Sequence, residues 1–189
     1  MIKKILLSIA SIFLILQSFN LLSLIQNIEI ESVPVIFLIA WILNIFITGI
    51  FAFLGFAYPT QKLFPLSYYV IHNSKRLKAV YKFMRIDLFR KFLLATFWKS
   101  KGMRKKYFDG KKSGLPNLIK QSKKSEIGHL LPFIVLSFLS IYFLLLKLFV
   151  LSIFTMLWNV LGNLLPIILQ RHHRMRIQLI HKRNSRLSK

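Results

Sequence analysis

Two residues of types that cooperate in acid–base chemistry lie close together in the stretch Gln121–His129, which reads QSKKSEIGH. Glu126 and His129 are three positions apart, so on a helix they would share one face. Histidine can take a proton from a hydroxyl, and a carboxylate can orient the imidazole or stabilise the imidazolium. The pair stands where a basic segment enters a long apolar run, and ionisable groups at such a boundary are costly to keep. The spacing therefore fits a general base, His129, with Glu126 as its partner.

Each member of the pair also has a structural interpretation. A carboxylate such as Glu126 stabilises the positive end of a helix dipole when it lies near the helix N-terminus. An imidazole such as His129 can lie at the membrane interface with its polar tip directed to water. The two residues alone leave the structural and catalytic interpretations open.

A second polar group lies towards the end of the last apolar run. Asn159, Asn163 and Gln170 follow each other at steps of four and seven, which places them on one stripe of a helix. For Asn159 alone, a hydrogen bond between helices is the favoured interpretation. Acyl transfer to an alcohol needs little more than a base such as His129, a bound acyl donor and groups that hold the oxyanion. In such a reaction Asn163 and Gln170 would position the acceptor or the carbonyl of the donor. Three arginines that could clamp a phosphate or pyrophosphate follow at Arg171, Arg174 and Arg176.

Composition excludes several other chemistries. The chain has no cysteine, which removes thiolate metal sites and cysteine nucleophiles. Glu126-x-x-His129 matches half of a carboxylate-bridged di-iron site, but such bundles need a second copy and two further carboxylates, and of the five acidic residues Glu29 and Glu31 are on the far side. No HExxH, Walker, GxSxG or Gly-rich dinucleotide motif occurs. We therefore expect no metal and no cofactor. The histidine-x4-acid pattern of glycerolipid acyltransferases is also absent, because the residue five after His129 is Ile134.

The composition is that of an integral membrane protein. Hydrophobic residues make up 55% of the 189 residues and charged residues 17%, whereas soluble domains carry about 25% charged residues. The apolar residues form runs at about 5–25, 33–58, 127–146 and 148–169. The last two are interrupted only by Lys147, and one helix of that length would be roughly twice the thickness of the hydrocarbon core. We therefore predict an all-α fold, a single membrane domain built as a four-helix bundle, with a turn at Lys147.

The first run has an alternative interpretation as a signal peptide. A retained helix is favoured, because the run is long and no small-x-small cleavage site closes it.

The distribution of basic residues predicts the orientation. Of the 28 Lys and Arg residues, two precede the first span, 18 lie in the segment 59–125 and seven in the tail 170–189, leaving Lys147 alone on the other side. Basic segments stay cytoplasmic, so the segment, the tail and both termini are predicted to be cytoplasmic. The net charge of +23 in so apolar a chain favours anionic membrane lipids over nucleic acid as partners.

Apolar residues recur at helical spacing between residues 77 and 98, with Lys and Arg between them. This pattern predicts an interfacial amphipathic helix lying on the cytoplasmic headgroups. The alternative is a helix packed on a neighbouring element. Asn27–Ser32 is predicted to be a short polar link, and Asp109–Gly110 and Gly114–Pro116 are turn signals.

SKKSEIGH, followed one hairpin later by GNLLPIILQRHHRMRI, resembles two paired motifs of the glycosyl-4,4'-diaponeurosporenoate acyltransferase family. The resemblance covers about residues 103–177. The matching positions are Ser122, Lys123, Glu126, His129, Asn163, Gln170, Arg171, Arg174 and Arg176. The sequence departs at Gln121, where the family has Glu, and at His172, His173 and Met175, where the family has Tyr, Asn and Pro.

The resemblance implies a protein of the bacterial cell membrane that acylates the sugar of a carotenoid glucoside. The donor would be an acyl-CoA or a carrier-bound acyl chain. The main alternative is a non-enzymatic four-span protein that scaffolds partners or binds anionic lipids, which explains the charge but not the pairing of Glu126 and His129. A small transporter is disfavoured, because no midspan charge or pair of broken helices marks a path.

Overall fold

The structure is all-helical, as the apolar runs predicted. It is a computed structural model that describes residues 1–27, 32–100, 102 and 112–187. Within these ranges every regular element is a helix and no strand occurs. Most of the predicted link Asn27–Ser32 and the predicted turn Asp109–Gly110 lie outside the described residues.

Four helices of the described chain are long and apolar enough to cross a membrane, and the fourth is interrupted by a π-helical turn. In the described part of the segment between the second and third spans, two short α-helices and three 3₁₀ helices are assigned. The helices are α1 (Ile2–Asn27), α2 (Val33–Ala57), α3 (Ser74–Phe83), α4 (Ile86–Ala95), α5 (Leu115–Leu145), α6 (Phe149–Asn159), the π-helical turn (Val160–Leu164) and α7 (Leu165–Leu187).

The chain divides into two compact units. The apolar unit comprises residues 1–60 and 127–164, and the basic unit comprises residues 61–126 and 165–189. Helix α5 contributes its N-terminal part to the basic unit and the remainder to the apolar unit. Glu126 and His129, three residues apart in α5, therefore belong to different units.

Hydrogen bonds between serines and backbone carbonyls join the helices of the apolar unit. Ser11 Oγ, in α1, donates to the backbone oxygen of Ile50 in α2 at 3.2 Å. Ser140 in α5 and Ser152 in α6 donate to each other's backbone oxygens at 2.9 and 2.7 Å. Such bonds stabilise helix pairs in lipid, where apolar contacts gain little over lipid tails. The buried core between them consists of Ile25, Ile39, Ala40, Leu43, Ile47, Ile50, Leu136, Phe143 and Leu151.

Helices α5 and α6 are joined by a tight turn at Lys147, which confirms the predicted position. The amide of Leu148 donates to the carbonyl of Phe143 at 2.9 Å, and the amide of Lys147 to the carbonyl of Leu144 at 3.0 Å. These two bonds form the Schellman motif that ends many helices. The motif requires a left-handed residue, and Lys147 has a φ of 61° at a position where glycine is usual.

Because Lys147 has a left-handed conformation, we expect that its replacement by glycine increases the stability of the fold. Lys147→Gly should raise the unfolding free energy by up to about 1 kcal/mol, because glycine adopts positive φ without a clash of Cβ. Lys147→Val should lower it by roughly 1–2 kcal/mol, because a β-branched residue tolerates this region poorly. The thermal unfolding midpoint in detergent micelles measures both changes. Lys120→Gly, at an exposed position inside α5, is the matched control and should be destabilising by about 1 kcal/mol.

Two short helices replace the single amphipathic helix predicted for residues 77–98, so that prediction is wrong in its continuity. Arg85 separates α3 from α4 and has a φ of 49°, which breaks the helical path. One face of the pair packs on its neighbours: the ring of Tyr81 stacks on His172 of α7 with centroids 3.9 Å apart, and Ile86 is completely buried. The opposite face leaves large apolar side chains exposed at Phe83, Leu88 and Phe92.

Two predicted boundaries also move. Helix α5 begins at Leu115, so the last eleven residues of the predicted extramembrane segment 59–125 are already part of this helix. Gly114–Pro116 is not a turn, because a 3₁₀ helix (Lys112–Gly114) leads directly into α5 and proline is tolerated in a first helical turn. The predicted tail 170–189 is helical as far as Leu187.

Candidate active site

His129 is held by an amide from the π-helical turn. Nδ1 of its imidazole lies 3.2 Å from Oδ1 of Asn163. Asn163 lies in that turn and is completely buried. π-helical turns inside α-helices often occur at functional sites. The backbone of Gly162, in the same turn, also interacts with the ring. The apolar unit thus brings together two residues that the sequence singled out.

This contact selects which imidazole nitrogen can act as a base. An amide oxygen only accepts hydrogen bonds, so Nδ1 of neutral His129 carries the hydrogen. The lone pair is then on Nε2, which is the nitrogen that can take a proton from a hydroxyl. One nitrogen oriented by a hydrogen bond and the other available to the substrate is the usual arrangement of a general base.

The amide nitrogen of Asn163 is engaged inside the protein. Nδ2 donates to Oγ1 of Thr48 and to Oδ1 of Asn159, both at 3.1 Å. Asn159 Nδ2 donates in turn to the backbone oxygen of Phe133 at 3.0 Å. Both hydrogens of the Asn163 amide are therefore used. In the structure Asn163 contacts His129 through its oxygen, and its nitrogen has no hydrogen left for a substrate carbonyl, the role that the sequence suggested.

Glu126 is completely buried in the basic unit, and three side chains contact its carboxylate. The Tyr68 hydroxyl donates to Oε1 at 2.9 Å. Arg174 Nη2 donates to Oε2 in a buried ion pair, and Arg171 Nε lies 3.3 Å from Oε1. A carboxylate bound in this way anchors the two arginines. The sequence predicted Glu126 as the partner of His129, and the orienting side chain that the structure gives to the imidazole is Asn163.

Arg174 connects the basic part of α5 to α7. Its Nη1 donates to Oγ of Ser122 at 3.0 Å, and that hydroxyl donates to the backbone oxygen of Gln170 at 3.0 Å. Arg174 is only 2% exposed, so it holds the unit together. Arg171, whose side chain is 34% exposed, and Arg176, which is exposed, are the arginines that a ligand can reach.

Positive charge exceeds negative charge around Glu126. One carboxylate faces two guanidinium groups, and the ammonium of Lys123 lies 4.8 Å from the ring centroid of Tyr69. Lys123, Tyr69 and Arg174 line a recess of about 210 Å³ whose other walls are mainly aliphatic. Pockets for whole ligands are usually about 300–1,000 Å³, so the recess would take part of a ligand. The surplus charge favours an anion.

Tyr68 gives the site a measurable dependence on pH. Burial and the adjacent Glu126 raise the pKa of Tyr68 to about 12, whereas an unfolded tyrosine titrates near about 10. The hydroxyl therefore stabilises the fold fully below about pH 10, and this contribution is lost as the pH rises towards the folded-state pKa.

At neutral pH Tyr68→Phe should accordingly unfold at a lower temperature than wild type. The difference between the two unfolding temperatures should become smaller above about pH 10. Unfolding midpoints of the two proteins in detergent, taken from pH 7 to 11.5, measure it. A gap of constant size across this range would contradict the assigned hydrogen bond to Glu126.

Sequence reasoning missed Thr48 and Tyr68. Thr48 left a signal: together with Asn44 it forms a polar pair at four-residue spacing in an otherwise apolar span. Tyr68 lies in a short 3₁₀ helix, Leu66–Tyr69, without a periodic pattern that would mark it. Among the residues that the structure describes, no three His, Asp or Glu side chains gather in a way that could hold a metal ion.

Comparison with known proteins agrees with the motifs. Residues 65–183 match the family model described as glycosyl-4,4'-diaponeurosporenoate acyltransferase, and all nine motif positions lie in this range. Comparison with curated proteins and with solved structures returned no match.

Proposed function

Because the chain belongs to the glycosyl-4,4'-diaponeurosporenoate acyltransferase family, we propose that it esterifies a sugar hydroxyl of a glycosylated carotenoid. Membership identifies the chain as an acyltransferase, and its four apolar helices indicate an integral membrane protein. The acceptor, the site residues and the orientation in the membrane are parts of the proposal.

The observation that carries the proposal is the hydrogen bond between His129 Nδ1 and Asn163 Oδ1. Nε2 of His129 takes the proton of the acceptor hydroxyl as its oxygen attacks the acyl carbonyl. The tetrahedral intermediate collapses, the bond from the acyl carbon to the donor's sulfur breaks, and the proton passes to the leaving thiolate. The products are the ester and the free thiol of the donor. The histidine ends the cycle neutral.

The basic unit binds the donor in this proposal. Acyl-CoA and carrier-bound acyl chains both carry a phosphate at the end of the pantetheine arm that bears the thioester, and in this proposal Arg171 and Arg176 bind it. Arg174 pairs with Glu126, the carboxylate that also contacts Arg171, and so helps to hold Arg171. Gln170 belongs to the same unit, and its backbone oxygen accepts from Ser122, so we include its side-chain amide among the groups that would position the donor.

The basic side of the chain faces the cytoplasm in the proposed topology. All but one of the 28 Lys and Arg residues lie outside the four spans predicted from sequence and on one side of them, and such residues are retained in the cytoplasm. Acyl donors are cytoplasmic metabolites, so the two assignments agree. The exposed apolar side chains Phe83, Leu88 and Phe92 would contact the membrane surface, and Lys82 and Lys91, which precede the two phenylalanines, would meet anionic headgroups.

The proposal is tested with the purified protein in nanodiscs. Carotenoid glucoside is supplied with acyl-CoA, with acyl-carrier protein or with free fatty acid, and the products are identified by mass. A glucoside heavier by one acyl group, formed from a thioester donor only, supports the proposal. If other lipids are acylated and the glucoside is unchanged, the protein is still an acyltransferase, but the carotenoid glucoside is not its acceptor.

A further inference from the structure

The amide of Asn163 can face His129 in two ways, and only one of them suits a general base. If its oxygen faces the ring, Nδ1 is protonated and Nε2 is basic. If its nitrogen faces the ring, the amide donates to Nδ1 and Nε2 carries the hydrogen. What fixes the Asn163 amide therefore decides whether His129 can accept a proton through Nε2.

The chain of hydrogen bonds has a fixed direction, because it ends at a backbone carbonyl. The oxygen of Phe133 can only accept, so Asn159 must direct Nδ2 towards it, at 3.0 Å. Asn159 Oδ1 is then turned to Asn163 and accepts from Nδ2 at 3.1 Å. Asn163 is left with its oxygen towards His129 Nδ1, at 3.2 Å.

Burial makes this direction difficult to reverse. Asn159 and Asn163 are both completely buried. Turning either amide by half a revolution would set two donors or two acceptors against each other, without water to relieve them. The backbone carbonyl of Phe133 therefore fixes the orientation of both amides, and the Asn163 amide fixes which nitrogen of His129 carries the hydrogen.

From this geometry we infer that Asn159 is a positioning residue of the acyl transfer: through Asn163 it holds His129 in the tautomer with hydrogen on Nδ1. The inference rests on the proposed function of His129 and adds a residue to it. Asn159 would act without touching a substrate, and a side chain that accepts a hydrogen bond at position 159 would be required for full activity.

The test compares substitutions at Asn159 with a matched substitution at Asn44. Asn44 Nδ2 donates to the backbone oxygen of Thr155 at 3.1 Å, so it is a buried asparagine that joins helices of the same unit but lacks a link to His129. Kinetics are measured per folded protein in nanodiscs. Asn159→Leu should lower kcat about tenfold with KM unchanged, whereas Asn44→Leu should leave kcat within about twofold of wild type.

Asn159→Asp is the rescue variant. Burial favours the protonated form of an aspartic acid at 159, which can donate its hydroxyl to the Phe133 oxygen and offer its other oxygen to Asn163 Nδ2, so kcat should stay within about twofold of wild type. Equal losses in Asn159→Leu and Asn44→Leu would make Asn159 purely structural and overturn the inference. It is also overturned if Asn159→Asp is as slow as Asn159→Leu, or if Asn159→Leu retains wild-type kcat.

A direct readout separates this inference from the proposed function. ¹⁵N NMR of histidine-labelled protein, with His129→Ala as the subtraction control, should show hydrogen on Nδ1 of His129 in wild type and on Nε2 in Asn159→Leu. If the tautomer changes as expected while His129→Ala retains activity, Asn159 controls the tautomer, but the base assignment fails and with it the role of Asn159 in acyl transfer. If the tautomer is unchanged in Asn159→Leu and His129→Ala is inactive, the assignment of His129 as the base is kept and the inferred role of Asn159 is rejected.

Discussion

His129→Ala is expected to lower kcat for acyl transfer by about 10²–10⁴-fold while the KM of the acyl donor stays within about twofold. The substitution removes the proton acceptor, but in our assignment the donor is held by arginines of the basic unit. Steady-state kinetics of the purified variant in nanodiscs, with ester formation followed by chromatography, measure both constants.

His72→Ala is the matched control for this change. His72 is exposed, lies outside the four apolar helices and should retain wild-type kcat when replaced. The assignment of His129 would be rejected if His129→Ala retained more than a tenth of the wild-type kcat, or if the two variants lost activity equally.

Glu126→Gln is expected to lower the unfolding free energy by about 3–5 kcal/mol, the usual cost of leaving one partner of a buried ion pair without its countercharge. Glutamine preserves the volume and an acceptor oxygen for Tyr68, but it leaves the guanidinium of Arg174 buried without a carboxylate. The thermal unfolding midpoint in detergent and the amount of protein in the membrane should both fall.

Asp87→Asn tests the same chemical change at the surface. Asp87 pairs with Arg90 at 3.4 Å, and its side chain is 64% exposed. It also accepts a hydrogen bond from the Tyr81 hydroxyl, which the amide oxygen of an asparagine can accept as well. This variant should lose less than about 1 kcal/mol, as exposed ion pairs do. Similar losses in Glu126→Gln and Asp87→Asn would contradict the buried anchor at Glu126.

Hydrophobic patterning predicted the fold class and the turn at Lys147 but not the lengths of the last two long helices. The predicted ends of each span were placed where the apolar run stops and charged residues begin. Helices do not end at the same places, because Lys, Gln and Glu are good helix formers. Helix α5 therefore starts at Leu115, before the apolar run, and α7 continues to Leu187, beyond it. The break at Arg85 left no sequence signal, because left-handed conformations of non-glycine residues depend on their surroundings.

The sequence predicted the residue types of the site better than their partners. Periodicity placed Asn159 and Asn163 on one stripe, and the structure joins them by a hydrogen bond at 3.1 Å. Spacing also paired Glu126 with His129. Spacing along one helix cannot reveal side chains that arrive from other elements, and it is Tyr68 and the arginines of α7 that contact Glu126.

The most direct test of the central claim is a comparison of lipid extracts by mass spectrometry. A host that makes carotenoid glucoside and acyl donors carries wild type, His129→Ala at matched membrane abundance, or an empty vector. We predict a glucoside heavier by one acyl group in the wild-type extract only. Identical extracts from all three cultures would contradict the acylation of a carotenoid glucoside, and acylated product in the His129→Ala culture at the wild-type level would contradict the base.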